Sequence, residues 1–305
     1  MTRQHSANLP ASVHQRLLTL SRQRGEEFNR LLTLYAIERL LYRLAQSLYA
    51  DRFVLKGALL FLVWAIPGPR PTRDLDLLGF GDNSAAALTH IFQTICTLPV
   101  SADGLVFDAQ SIHVLEIRED QEYQGQRVEL VAQLGRARVP LQIDIGFGDL
   151  VSPPPREADY PALLEFPSPR LRIYSMESVI AEKLHAMVIL DLTNSRMKDF
   201  YDLWTLSRLF PFTGQTLAQA IQSTFARRQT PIPPTTPTAL TPTFANDPIK
   251  ITQWQAFLKR NRLELSGAPF TQVIADLQAF LSPPLQALAH QTPFTATWTP
   301  AGAWT

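Results

Sequence analysis

Arg70-Pro71-Thr72-Arg73-Asp74-Leu75-Asp76-Leu77-Leu78 puts two carboxylates two residues apart where a polar segment runs into an apolar one. Strand side chains alternate with a period of two. A strand here would carry Thr72, Asp74 and Asp76 on one face and turn Leu75 and Leu77 into a core. Asp is depleted in strands, which leaves two readings. Either the acids are solvated on an exposed edge, or they are oxygen ligands on one rigid element for a divalent metal whose shell is completed by substrate phosphates.

A third acid follows in Leu141-Gln142-Ile143-Asp144-Ile145, where three aliphatics share one face and Gln142 and Asp144 the other. If the two strands are neighbours, Asp144 joins Asp74 and Asp76. Clustered acids repel one another unless cations neutralise them. Two Mg²⁺ ions would do so, and would hold the attacking and leaving oxygens of a phosphoryl displacement. The plainer alternative is an edge-strand acid paired with an arginine.

Upstream of the first pair, Phe53-Val54-Leu55 reads as a short strand, and Lys56-Gly57-Ala58 opens an apolar helix to about Ala65. Small residues at such a junction let backbone amides approach a phosphate, and a helix N-terminus favours negative charge. Ile66-Pro67-Gly68-Pro69 breaks that helix. Residues 9–50 read as two helices, and Arg22, Arg24, Arg30, Arg39 and Arg43 along them form a candidate basic face for nucleic-acid phosphates.

Downstream, Asn83 is a candidate N-cap for a helix through Cys96. Strand patterns follow at 112–117, 127–133 and 139–145, with a further one at 171–174. From Ser175 the pattern is helical, with segments at about 196–209, 215–227, 249–261 and 270–281. Six prolines between Pro231 and Pro248 exclude a regular helix or central strand there. Pro283-Pro284 is expected to stop the last helix, and the final dozen residues to lack regular structure. The fold class is therefore α+β. A mixed-sheet core with helices lies within residues 1–150, and a mainly helical part with the Pro-rich segment 231–248 occupies 151–305. In the helical part Lys183 sits within an apolar run, and Asp199 and Asp202 fall on one helix face.

Composition narrows the function classes. The 46% hydrophobic and 18% charged fractions describe a globular chain, and a net charge of +1 announces no polyanionic partner. Cys96 is the single cysteine, which excludes an intrachain disulfide and a thiolate metal cage. The six histidines lack metal-ligand spacing. Neither a signal core at Met1–Pro10 nor an apolar run near the ~20 residues of a membrane span is present, so a cytoplasmic protein without membrane contact is expected.

In order, Leu55-Lys56-Gly57-Ala58, Arg70 to Asp76, Ile143-Asp144-Ile145, Glu182-Lys183-Leu184 and Lys198-Asp199-Phe200-Tyr201-Asp202-Leu203 resemble the motifs of the AbiEii/MenT toxins. These are nucleotidyltransferase-fold proteins of toxin–antitoxin and abortive-infection systems. The likeness spans about residues 28–282 and includes the Pro-rich stretch and the Trp254-Gln255-Ala256-Phe257 helix. It implies a nucleotidyltransferase-like fold in which Asp74 and Asp76 bind Mg²⁺, with Asp144 as a third acid not used by every member. Lys56, Gly57, Thr72, Arg73, Lys183 and Asp199 would then contact the nucleotide. Lys183 and Asp202 complete the catalytic set, with Asp202 and Asp199 positioning Lys183 or the nucleotide. Ala58 departs from the Gly or Ser usual in the fold, leaving only backbone donors there.

The implied reaction transfers a nucleoside monophosphate from an NTP to an acceptor hydroxyl. The implied acceptor is an RNA end such as the tRNA 3′ end, so that translation and growth stop until a cognate antitoxin relieves them. The alternatives are transfer to a small-molecule hydroxyl, or a non-catalytic protein that binds nucleotides or partners.

Overall fold

The computed structural model describes residues 8–120, 123–263 and 268–305. The polar stretch 1–7, read above as lacking a signal core, lies outside them. The chain divides into two units: 1–148 with 156–173, and 149–155 with 174–305. The expected boundary at residue 150 is thus crossed once more, because residues 156–173 supply two strands to the first unit's sheet.

In chain order the first unit contains helices α1 (Leu9–Arg24) and α2 (Phe28–Gln46), strand β1 (Phe53–Lys56), the short helix α3 (Leu60–Val63) and β2 (Leu75–Gly79). Helix α4 (Ala85–Thr97) and strands β3 (Leu105–Asp120), β4 (Tyr123–Leu134), β5 (Ala137–Phe147), β6 (Arg156–Asp159) and β7 (Arg170–Ile173) complete it. Among the described residues these strands form a seven-stranded mixed sheet in the order β3-β4-β5-β2-β1-β7-β6. β2 runs parallel to β5 and antiparallel to β1.

Alternation sets the faces. Val139, Leu141, Ile143 and Ile145 of β5 and Val128, Leu130, Ala132 and Leu134 of β4 are buried on the side where α2 packs against β5 and α4 against β3 and β4. The opposite side keeps Gln142, Asp144, Arg127 and Glu129. β3 extends well beyond the expected 112–117, since a bulge between Asp108 and His113 interrupts its alternation. There the Ser111 hydroxyl accepts the Val131 N–H at 2.9 Å, replacing a lost ladder bond. Helix α4 is capped by Ser84, not Asn83: the Ser84 hydroxyl accepts from Ala87 N at 3.3 Å.

Three of the five arginines assigned to a basic face point elsewhere. Arg39 and Arg43 are buried, and Arg43 grips both oxygens of buried Asp103 at 2.6 and 3.2 Å. Arg30 is paired with Glu26 one turn away. Charges at helical spacing on a helix enclosed nearly all round must turn inward and find partners. Only Arg22 and Arg24 remain exposed.

The second unit is helical: α5 (Met176–Leu190), α6 (Met197–Leu209), α7 (Gly214–Arg227), α8 (Pro242–Ala245), α9 (Pro248–Asn261) and α10 (Phe270–Ala289). A two-stranded ribbon joins β8 (Phe212–Thr213) to β9 (Thr297–Trp298). The last residues, expected to be irregular, are therefore built into the fold. Trp298 donates to the Ser207 carbonyl at 2.6 Å, and Trp304 stacks on Phe280. Within the Pro-rich stretch the one α-helix is the four-residue α8. His185 is a packing histidine: burial and Arg228 push its pKa down to about 4, and its Nε2 lies 2.8 Å from the Thr230 hydroxyl. Among the described residues no helix is long and apolar enough to cross a membrane.

Candidate active site

β2 begins at Leu75, so of the expected trio only Asp76 lies on the strand; Thr72, Arg73 and Asp74 belong to the segment leading into it. β1 ends at Lys56, which pairs with Asp76, and β5 reaches β2 only from Ile143. Pro71 lacks the N–H that a ladder would need. Arg73 is exposed and forms a 3.0 Å ion pair with Glu27.

The register then assembles one row across four strands: Lys56 opposite Asp76, Asp76 opposite Asp144, Asp144 opposite Arg127. Directly opposed side chains lie about 5 Å apart at Cβ. Two adjacent acids are thus flanked by a cation on either side. The Lys56 ammonium reaches across to β5, where a Cβ added at Gly146 would lie 3.5 Å from its Nζ.

Arg127 engages Asp144 through two parallel bonds, Nε to Oδ1 at 2.7 Å and Nη2 to Oδ2 at 2.9 Å, and the Gln142 amide adds contacts of 3.3–3.4 Å. The Asp144 hydrogen bond comes first among the causes that raise the Arg127 pKa above its usual range; burial opposes it, and the charges of Asp144, Asp74 and Glu129 add to it. Asp144 therefore stands beside Asp76 as expected, with its carboxylate already occupied by an arginine.

Gly57 provides the space around Asp76. It adopts φ +73°, and a Cβ there would meet Asp76 Oδ2 at 2.0 Å. The helical segment after it is a single 3₁₀ turn followed by the four residues of α3, too short for the phosphate-binding helix end expected from the sequence. A hard divalent cation takes oxygen donors, commonly one or two carboxylates plus substrate phosphates. Exposed Asp74 and half-buried Asp76, two carboxylates two residues apart, fit such an ion. Among the described residues no group of three or more His, Cys, Asp or Glu is arranged to hold a metal.

Beside Asp74 a cleft of about 500 Å³ opens. Ser111, His113, Glu129, Pro140 and Gln142 contribute to it, and Arg73, Asp74 and Arg138 also line it.

In the second unit Lys183 of α5 meets Asp199 Oδ1 at 2.5 Å and Asp202 Oδ2 at 2.9 Å, both on α6. Arg196 Nε lies 2.8 Å from Asp199 Oδ2. Both carboxylates are buried, which excludes solvated acids, and Lys183 is largely enclosed rather than snorkelling. Burial alone would raise the Asp199 pKa. The charges of Lys183 and Arg196, the Lys183 hydrogen bond and Lys198 outweigh it and hold the carboxyl below its usual range. The spacing of Asp199 and Asp202, one helical turn apart, lets both reach one ammonium.

The Nucleotidyl transferase AbiEii toxin model, of the type IV toxin–antitoxin system, matches residues 39–280. The chain belongs to the AbiEii family. Two solved Helicobacter pylori structures share 17% identity with this AbiEii chain at a TM-score of 0.45: JHP933, with 83% of this chain and 87% of that one covered, and a protein provisionally assigned as a nucleotidyltransferase, with 83% and 89% covered. No curated protein matches.

Reading the sequence missed Arg127 and Arg196. Alternation in Arg127-Val128-Glu129-Leu130 does place Arg127 on the polar face of its strand. Which acid it meets depends on a strand register that no local pattern encodes.

Proposed function

We propose that this chain is a Mg²⁺-dependent nucleotidyltransferase toxin. It transfers a nucleoside monophosphate from an NTP to a hydroxyl at an RNA end, such as the 3′ end of tRNA. In the cytoplasm this stops translation and growth until a cognate antitoxin relieves it. The observation that carries the reading is Asp76, opposite Lys56 and packed against the Cβ-less Gly57, in a chain of a nucleotidyltransferase family.

In the reaction the acceptor oxygen attacks the α-phosphorus and forms a new P–O bond. The bond to the bridging oxygen breaks, pyrophosphate departs, and the hydroxyl proton passes to solvent or base. Mg²⁺, when held by Asp74 and Asp76, supplies Lewis-acid polarisation of the phosphate oxygens. Lys56 brings positive charge to the same sheet face, where developing charge on the phosphates is stabilised by a preorganised cation. Gly57, with no Cβ, lets the Asp76 carboxylate lie against the backbone at the end of β1. Lys183 acts as a fixed charge for the nucleotide, its ammonium oriented by Asp199 and Asp202. The cleft lined by Arg73, His113 and Arg138 suits the acceptor end, bringing its hydroxyl up to Asp74.

The test incubates purified chain and Mg²⁺ with each α-labelled NTP in turn, offering total RNA in one set and aminoglycosides in another. Label on RNA supports the proposal, and label only on the small molecule replaces the acceptor. No transfer from any nucleotide by folded protein refutes the enzyme.

A further inference from the structure

Three carboxylates lie at the entrance of this site, yet they are not equivalent. Asp74 is exposed, and half-buried Asp76 packs its carboxylate against Gly57, where a Cβ would meet Oδ2 at 2.0 Å. Asp144 has both oxygens bonded by the planar fork of Arg127 and a Gln142 amide beside them. The side chains of Asp144 and Arg127 are 13% and 31% exposed, so the pair is partly screened from water. A bidentate arginine–carboxylate pair is fixed in geometry as well as charge. Asp144 is nevertheless the directly opposed neighbour of Asp76, at a spacing from which two carboxylates can share one cation.

We propose that Arg127 is a positioning residue that withdraws Asp144 from the metal site. Metal binding then falls to Asp74 and Asp76 without a third acid, and a divalent cation binds well only together with the triphosphate that completes its shell. The inference rests on the nucleotidyltransferase reading above. Its physical content is charge count: cation affinity at an oxygen site rises with the number of carboxylates available. With Arg127 in place the row Lys56, Asp76, Asp144, Arg127 carries two cations against two acids. Without it, Asp144 is an unengaged carboxylate beside Asp76.

Mn²⁺ binding, followed by electron paramagnetic resonance of the free ion, tests this without reference to turnover. Wild-type protein should bind Mn²⁺ weakly alone and tightly with a non-hydrolysable NTP analogue. Arg127→Gln should tighten nucleotide-free Mn²⁺ binding by about tenfold or more, as expected for one added carboxylate ligand. Adding Asp144→Asn to that variant should abolish the gain. Arg127→Lys keeps the charge but offers a single point contact. It should give an intermediate affinity, and it serves as the reading should Arg127→Gln not fold. A purely structural Arg127 would shift the unfolding midpoint in these variants and leave Mn²⁺ affinity unchanged, which overturns the proposal. A gain that survives Asp144→Asn overturns it as well. Wild-type Mn²⁺ binding that is indifferent both to nucleotide and to Asp76→Ala would sink the metal reading itself and this inference with it. Asp76-dependent binding with no response to Arg127 sinks this inference alone.

Discussion

Gly57 is the position where one added methyl group has the clearest consequence. Its φ of +73° is costly for a residue with a Cβ, and that Cβ would strike Asp76 Oδ2 at 2.0 Å. Gly57→Ala should lose about 2 kcal/mol of stability in urea titration from backbone strain. It should lose nucleotidyl transfer as well, because the Asp76 carboxylate must move. Gly68 is the control: it has φ +56° with nothing within 4 Å, so Gly68→Ala should show the backbone cost and keep its activity. Equal activity in the two variants would sink the role given to Gly57. Glu38 makes a different residue-scale case. It is fully buried on α2, accepts the Leu163 N–H at 2.7 Å, and burial pushes its pKa up to about 7 from 4.5. A carboxyl whose folded pKa is raised contributes stability while protonated, and that contribution is lost as pH climbs from 4.5 through 7. Glu38→Gln should therefore match wild type near pH 4 and exceed it by on the order of 3 kcal/mol at pH 8. A difference independent of pH in paired denaturation curves would contradict this.

Elements were legible where periodicity is strong and lost where a side chain from elsewhere repairs the backbone. The expected stop at Pro283-Pro284 is the clearest instance. Prolines remove N–H donors and leave the carbonyls four residues earlier unbonded, yet α10 continues to Ala289. The carbonyl that Pro284 orphans belongs to Phe280, and Trp304 Nε1 donates to it at 2.9 Å. The C-terminal segment thus supplies the hydrogen bond that the helix lacks. That is why the last dozen residues are ordered although their sequence has no period. Trp304→Phe keeps an aromatic ring against Phe280 but removes the donor. It should cost about 1–2 kcal/mol, the usual penalty for an unsatisfied buried carbonyl, with faster amide exchange in the last turns of α10. Unchanged stability and exchange would show that this bond does not hold the helix. The same limit explains β3: its pattern was readable at 112–117, while the bulge at Asp108–His113, closed by Ser111, hid the rest.

Over the whole molecule, local reading found the acids and the lysines but not their cationic partners. Asp74, Asp76, Asp144, Lys183, Asp199 and Asp202 are visible because each breaks an apolar or alternating pattern in its own segment. Arg127 and Arg196 look like ordinary surface charges until strand register and helix packing pair them. Arginines on α2 erred the other way, looking like a nucleic-acid face and proving to be core ion pairs. Counting charges in a sequence thus identifies candidates, and only the fold decides which are neutralised internally. The proposed function makes one demand at this scale: motifs that fold into separate units must serve a single reaction. Residues acting in one catalytic set lose activity non-additively. Asp76→Ala should leave only a slow residual transfer and end growth arrest. Lys183→Arg keeps a cation between Asp199 and Asp202 but changes its shape, so it should preserve the fold and cripple transfer. The double variant should then be no slower than Asp76→Ala alone. Multiplying losses in single-turnover measurements would mean that Lys183 acts independently of Asp76, and unchanged transfer by folded Lys183→Arg would mean that Lys183 and its two buried acids hold the second unit together and take no part in the chemistry.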